Sequence, residues 1–441
     1  MFMKYICFFL IIFLAISCKR NIDQQSFDQV NIFVEDSLYN YTRSFLLSEV
    51  VENISIIPLE TKKESVFNNR IFSFSIGEKD LFINSYLKIY HFSVTDNKYI
   101  GQIGSLGNGP SDFNYAGSVG IDDRSKLIYV YSGVQTNNEM KTYTYEGKFL
   151  KSIHMAPAGA HMEGGFTKGE YRGSLFVNNK HIVRRMLPIM DGSKDIWQIG
   201  IFDTAGKKIV TFVDPANVKY RNDINRHRAV KRGYEVAEMA TFWDADSPVL
   251  NQYFDHVNIL FDSNDTIYRY NSDKNTLRPR YILHCGDRPP FEEIRTLGKK
   301  KSYFQYIFVT NVLETKDFLF LVAEKDNNSF LLRVDMKTGD IKSIKNEGKI
   351  TELSSMRSYD RKATPPGFTN DLCGGMPFFP RFQNEKQWIA IYTAEELLEQ
   401  VDIEKLKKEK VLYPEKRDQL VKILENLKED DNSVIMVANL K

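Results

Sequence analysis

Leu127-Ile-Tyr-Val-Tyr131, followed by the polar turn Tyr145-Glu-Gly-Lys148, is the unit whose reading decides the fold. A run of β-branched and aromatic residues suits a pleated, half-buried surface, and a Gly in the turn tolerates the positive φ that tight hairpins demand. The same pairing recurs. Leu81-Phe-Ile83 precedes Val94-Thr-Asp-Asn-Lys98, and Ile199-Gly-Ile-Phe202 precedes Asp203-Thr-Ala-Gly-Lys207. Val257-Asn-Ile-Leu-Phe261 precedes Tyr270-Asn-Ser-Asp-Lys274, and Phe318-Leu-Phe-Leu-Val322 precedes Asp335-Met-Lys-Thr-Gly339.

With Asn97, Gly147, Gly206, Asp273 and Gly339 as turn markers, the spacings are 50, 59, 67 and 66 residues. Familiar propeller blades repeat every ~40–50 residues. Four strands and three turns take about forty residues, so each unit holds one blade and a decorated connection. A sixth unit follows, with Gln387-Trp-Ile-Ala-Ile-Tyr392 as one strand. No convincing helical period occurs between residues 54 and 392, which argues against a parallel α/β sheet. The expected fold is all-β, a single six-bladed β-propeller over residues 46–441. Ile54-Ser-Ile-Ile-Pro-Leu59 has no hairpin partner nearby and is expected to close the ring against residues 387–392 or 433–439, because closure removes exposed sheet edges.

The C-terminal region interrupts the pattern with a helical insertion at 393–428. Thr393 with Glu396 forms a capping box, and Leu397, Leu398 and Val401 make an apolar stripe. Pro414 opens a second helix carrying Leu420, Ile423, Leu424 and Leu427 on one face.

Composition agrees with a globular sheet protein: 42% of the 441 residues are hydrophobic, 26% charged and 13% aromatic. A net charge of +2 gives no electrostatic footprint for nucleic acid.

The first residues stand apart. Lys4 provides a positive n-region, and the apolar run from Ile6 to Ile16 is too short for the roughly 20 residues of a spanning helix. Leu14-Ala-Ile-Ser-Cys18 resembles the lipobox of bacterial lipoproteins, with Ala15 where Leu is more usual. The resemblance implies a signal peptide over 1–17, a diacylglycerol on Cys18 and a membrane anchor, followed by a tether over 18–45. Of four cysteines, Cys285 and Cys373 then remain, too few for a disulfide framework or a Cys-based zinc site.

Three segments resemble the six-bladed β-propeller lipoproteins of Gram-negative bacteria. They are Val51-Glu-Asn-Ile-Ser-Ile-Ile-Pro-Leu-Glu-Thr61, Gly101-Gln-Ile-Gly-Ser-Leu-Gly-Asn-Gly-Pro-Ser-Asp-Phe113 and Asp431-Asn-Ser-Val-Ile-Met-Val437. The resemblance implies a propeller in the cell envelope and transfers no catalytic residues. An outer-membrane location follows. Lys19 and Arg20, where surface-exported lipoproteins often carry acids, favour the periplasmic face.

Few residues point to chemistry. The glycine-rich 101–113 segment lacks the Gly-Lys-Ser/Thr ending of a P-loop and reads as a crossover between blades, with Asn108 and Asp112 able to face the mouth. Ser174 lacks a nucleophile elbow. His154 and His161, and Asp244-Ala-Asp246, fall short of metal-site spacing, so no metal site or cofactor is assigned, a structural divalent ion being left open. Connections carry binding residues, and those around 154–172, 214–240 and 355–375 are the longest polar-aromatic ones. On a common face, Phe368, Asn370 and Asp371 would supply a stacking ring and polar groups, while Arg221, Arg226 and Arg228 would add positive charge. A binding or scaffolding module for glycan or protein partners is the favoured function. The alternative is a lactonase-like or lyase-like enzyme with a channel-bound metal.

Overall fold

A computed structural model describes residues 29–67, 71–85, 88–113, 118–132, 139–154, 174–177, 181–185, 199–212, 249–254, 256–261, 265–287, 305–326, 328–346 and 365–441. Six sheets form a six-bladed β-propeller. Blade 1 runs Ile71–Ile76, Asp80–Ser85, Lys88–Ser93 and Tyr99–Gln102 from the axis outward. Blade 2 follows with Ser118–Asp122, Leu127–Ser132, Glu139–Thr144 and Phe149–His154. Blade 3 comprises Ser174–Val177, His181–Arg185, Ile199–Asp203 and Lys208–Phe212; blade 4 comprises Val249–Tyr253, His256–Leu260, Thr266–Asn271 and Thr276–Leu283. Phe308–Glu314, Phe318–Lys325, Asn328–Asp335 and Ile341–Asn346 make blade 5.

The apolar runs form second strands in four blades and the third strand in blade 3. The polar turns join third to fourth strands, with Asn97, Gly147, Gly206 and Gly339 at φ of 61°, 82°, 85° and 78°. In blade 4 the left-handed residue is Asn275, φ 49°, rather than Asp273. Asn tolerates this conformation better than most residues because its short amide bonds locally.

Blade 6 closes the ring. Its strands are Phe382–Gln383, Gln387–Tyr392, Val434–Leu440 and, outermost, Val51–Pro58, which runs antiparallel to the chain's last strand with Ile54 opposite Ala438 and Pro58 opposite Val434. The expected closure is thus met by the last strand. Asn432 holds the joint: its Nδ2 donates to the Glu60 and Ser65 carbonyls at 2.9 and 3.0 Å, and its Oδ1 accepts from the Phe67 N–H at 3.3 Å. This brings the first and last of the three family-like segments together.

No single core fills the ring. Among the described residues, six buried clusters occur, one at each interface between neighbouring blades. The largest lies between blades 5 and 6 and includes Phe320, Phe368, Trp388 and the apolar faces of the helical insertion. The insertion contains helices Ala394–Gln400, Ile403–Leu406 and Pro414–Leu424. Thr393 and Glu396 form the expected capping box, with bonds of 3.0 and 2.9 Å, and Pro414 occupies the first turn. Leu397, Leu420 and Leu424 are buried, while Leu398 is exposed. Among the described residues no helix is long and apolar enough to cross a membrane.

Of the tether expected over 18–45, residues 30–45 pack against the blades instead. Val30–Ile32 adds a fifth, parallel strand to blade 4, Tyr41 bridges Ser343 on blade 5, and Leu46 bridges Thr369 before the chain enters blade 6. Ile32, Val34, Leu38 and Phe45 are buried, and this irregularly spaced apolar set straps three blades together. The signal segment and Cys18 lie outside the described residues.

Candidate functional site

Each blade's first strand starts on one face of the ring and ends on the other. Connections between blades, and the insertion between the second and third strands of blade 6, belong to the starting face. The turns joining first to second and third to fourth strands belong to the opposite, turn face.

On the starting face, the loop entering blade 6 is covered. Phe368 is completely buried, its ring centroid 4.9 Å from Phe320 and 5.3 Å from Trp388. Asn370 is 3% exposed; its Oδ1 accepts from the Cys373 N–H at 3.2 Å and its carbonyl from the Gly374 N–H at 2.8 Å. The Asp371 carboxylate accepts from the Ser48 N–H at 3.0 Å and from its hydroxyl, pinning the N-terminal strap. The insertion then covers this loop, with the Leu412 and Tyr413 N–H groups donating to the Asp371 and Leu372 carbonyls at 2.8 and 2.9 Å. The three residues are brought together, but as a packed joint. Stacking a ligand on Phe368 would require the ring to leave this core. Sequence shows the composition of such a loop and not the element that covers it.

Asp112 closes the glycine-rich connection on itself, accepting from the Ser105 hydroxyl at 2.8 Å and the Gly109 N–H at 3.0 Å. Glycine at 107 and 109 leaves room for that carboxylate, because a Cβ at either position would overlap its Oδ2 and push it off these donors. Tyr143 and Lys141 of blade 2 donate to the Ser111 and Pro110 carbonyls at 2.6 and 2.7 Å. The segment is therefore a crossover, as expected, with Asn108 exposed at its tip. Arg221, Arg226 and Arg228, together with His161 and Asp244-Ala-Asp246, lie outside the described residues.

One opening lies on the turn face. A cavity of about 630 Å³ is walled by the first strands of blades 1, 2, 4 and 6 and by the turn at Gln383-Asn-Glu-Lys-Gln387. Amides dominate its blade 6 wall. Asn384 Nδ2 donates to Gln387 Oε1 at 2.8 Å, Gln387 Nε2 donates to Asn439 Oδ1 at 2.9 Å, and Asn439 donates onward to Asn53. This ladder crosses the rim of the blade from its innermost turn to its outermost strand. Among its members Asn53 is exposed, and the other three are half-buried.

A second relay starts at the same wall. Gln383 Oε1 accepts from Asn251 Nδ2 at 2.7 Å, Asn251 Oδ1 from Asn258 Nδ2 at 3.2 Å, and Asn258 Oδ1 from Arg269 Nε at 3.2 Å. It ends in a buried ion pair, with Arg269 Nη2 2.6 Å from the Glu314 carboxylate, which also accepts from Asn258 and, at 2.9 Å, from the Tyr281 hydroxyl. Blade 4 thus carries one polar group per strand from the cavity wall to the blade 5 interface. A buried charge pair of this kind needs its full set of bonds to offset desolvation.

Charge at the mouth is acidic. Glu52, Glu78, Asp123 and Glu385 line it against Lys386. Asp123 is held in place by Lys126 at 2.6 Å, the Tyr145 hydroxyl at 3.0 Å and the Glu78 N–H at 2.9 Å. Burial alone would raise its pKa, but these donors outweigh it and hold the carboxyl below its ordinary value. Phe74 gives the wall an aromatic surface and stacks on Phe382, with centroids 5.7 Å apart and planes at 20°.

Neither remaining cysteine is placed for chemistry. Cys285 and Cys373 are free and buried, and burial pushes their thiols up to about 12 and about 11. Among the described residues no group of three or more His, Cys, Asp or Glu is arranged to hold a metal ion. His91, 2.8 Å from Asp80 and stacked on Phe82, belongs to the blade 1–blade 2 packing.

The wall residues Gln252, Gln383, Asn384, Gln387, Asn439 and Asn53 do not stand out in sequence, because their meaning depends on which strand ends share a rim. Gln383 to Gln387, a polar turn between aromatic strands, was the visible trace.

The chain belongs to the DUF4934 family, a domain of unknown function, which matches residues 29–439. Its fold resembles that of a protein described as exported from Bacteroides fragilis, at 16% identity and a TM-score of 0.58, over 93% of this chain and 99% of that one. A DUF4221 family member from Bacteroides vulgatus aligns at 12% identity and a TM-score of 0.39, over 67% of this chain and 86% of that one. PorZ, a surface component of the type-IX secretion system of Porphyromonas gingivalis, aligns at 8% and 0.34, over 66% of this chain and 29% of that one. No curated protein matches the chain in sequence.

Proposed function

We propose that this chain is a lipid-anchored envelope protein whose propeller binds an uncharged, hydroxyl-rich ligand, a glycan segment, at the turn-face mouth of its channel. The amide ladder Asn384–Gln387–Asn439–Asn53 carries this reading. Amides fixed by one another present oriented donors and acceptors without charge, which suits hydroxyls that must be paired on both counts. Phe74 supplies an apolar face for a sugar ring, and the excess of carboxylates disfavours anionic ligands. The test is a glycan array probed with wild type and an Asn384→Ala/Gln387→Ala variant. Binding that falls about tenfold or more in the variant, the cost of roughly 1–2 lost hydrogen bonds, supports the site. Absence of glycan signal, or a signal indifferent to the change, would leave a protein partner as the better reading.

The envelope location is supported by the leader ending in Leu14-Ala-Ile-Ser-Cys18 and by the exported relative that shares the fold. A diacylglycerol on Cys18 would hold the body at the outer membrane, on its periplasmic face. Cys18→Ala is expected to release the protein from membranes washed in high salt; retention would remove the anchor. Protease added to intact cells should leave the body uncut, and cleavage would place it on the surface.

A further inference from the structure

We infer that the outer edge of blades 4 and 5 lies against the bilayer, with Phe33, Tyr39 and Tyr41 of the N-terminal strap at headgroup level. The inference rests on the anchoring reading of Cys18.

Buried and exposed residues alternate unusually along the strap. Ile32, Val34 and Leu38 pack inward, while Phe33, Tyr39 and Tyr41 are 51%, 54% and 50% exposed. Three half-exposed aromatic rings within nine residues are more than a strap needs for its own packing. Tyr39 and Tyr41 form an edge-to-face pair with centroids 6.3 Å apart, and Phe33 stacks on His284 at 4.5 Å. Cations border them: Lys325 Nζ sits 5.8 Å over the Tyr39 ring, and Lys342 Nζ bonds Asn40 Oδ1 at 3.2 Å. Arg43 and Lys345 are also exposed on this edge. Both acids in the short helix Val34–Ser37 are exposed, Glu35 with its carboxylate beside Gly286 and Asp36 next to it. Amphipathic aromatic rings beside Lys and Arg are the combination that suits a membrane–water interface, where rings meet the acyl boundary and cations meet phosphates.

What identifies the bilayer as the occupant is where the chain comes from. Residues 18–28 join Cys18 to this strap, and a chain of that length reaches at most about 40 Å when fully extended. The strap enters along the outer strand of blade 4. That edge is therefore held nearest the membrane. The channel axis would then run along the bilayer surface, leaving the turn-face mouth open to ligands.

The test uses the full chain expressed with its own leader, reconstituted in vesicles of phosphatidylethanolamine and phosphatidylglycerol containing a photoactivatable phospholipid. Cross-linked peptides are mapped by mass spectrometry. The peptide spanning residues 30–46 should carry about fivefold or more label over the Gln383–Gln387 turn, and Phe33→Ser/Tyr39→Ser/Tyr41→Ser should abolish the excess without changing the melting transition. Label concentrated on another edge or face, or absent from 30–46, overturns the inference. Palmitate incorporation at Cys18, measured on the same preparation, separately decides the anchor: palmitate present with label elsewhere would sink the orientation and keep the anchoring.

Discussion

Deleting residues 434–440 removes the third strand of blade 6, whose partners on both sides are Gln387–Tyr392 and Val51–Pro58. Val434, Ile435 and Met436 are fully buried, Val437 is 3% exposed and Leu440 9%. At roughly 1.5–3 kcal/mol per large apolar side chain, five such residues contribute about 8–15 kcal/mol. That equals the roughly 5–15 kcal/mol of net stability typical of a folded domain, so the truncated chain should not hold a closed ring. Met436→Ala is the graded version, with an expected loss of about 2–5 kcal/mol. Urea unfolding would be followed by tryptophan fluorescence, since Trp388 lies opposite Ala438, and by far-ultraviolet circular dichroism. The truncated protein should lack the cooperative transition, and Met436→Ala should shift its midpoint down. A truncated chain that melts with the midpoint and slope of the intact protein would refute closure by this strand.

Three further outcomes are expected. Glu314→Ala leaves Arg269 buried without its carboxylate and should cost about 3–5 kcal/mol, while Glu314→Leu/Arg269→Met should recover most of it; equal losses in both variants, read from urea midpoints, would count against the pair. Iodoacetamide at pH 8 should label Cys285 and Cys373 slowly in native protein and rapidly in urea, because their thiols are raised to about 12 and about 11; fast native labelling on mapped peptides would contradict the burial. Burial lowers the His91 pKa, against the opposing pull of Asp80 and Glu146, so below pH 6.5 the unfolded chain takes up a proton that the folded one resists. Stability should therefore fall as pH drops from 7 to 5, less so in His91→Gln; an unchanged pH slope in that variant would remove His91 as the cause.

The blade count and ring closure were legible because both depend on local signals. Runs such as Phe318-Leu-Phe-Leu-Val322 and turns such as Asp335-Met-Lys-Thr-Gly339 declare themselves within a few residues, and an unpartnered Ile54-Ser-Ile-Ile-Pro-Leu59 leaves one place to go. The strap was less visible. Its buried residues follow neither a strand nor a helix period, since Ile32, Val34 and Leu38 fill the seam between blades 4 and 5 and Phe45 that between blades 5 and 6. Site residues were the least visible. Phe368, Asn370 and Asp371 have the composition of a binding loop, yet the insertion that buries them returns to the same blade from farther along the chain. The amide ladder unites residues from 53 to 439, and only the ring's topology makes Asn53 and Asn439 neighbours.

That same topology sets an order of assembly. Val51–Pro58 leaves the ribosome long before its partner Val434–Leu440. Contacts this distant in sequence must wait for loop closure on that scale, which slows folding and leaves the early strand with an unpaired edge until its partner is made. Blades 1, 2, 3 and 5 can each form their sheet from contiguous sequence, but blade 4 with its added parallel strand and blade 6 with its borrowed one need an earlier segment to come back to them. The leading end of the chain is thus kept uncommitted longest. Under the proposed envelope location, a segment that crosses a translocation pore before it folds is served well by partners that have not yet been made.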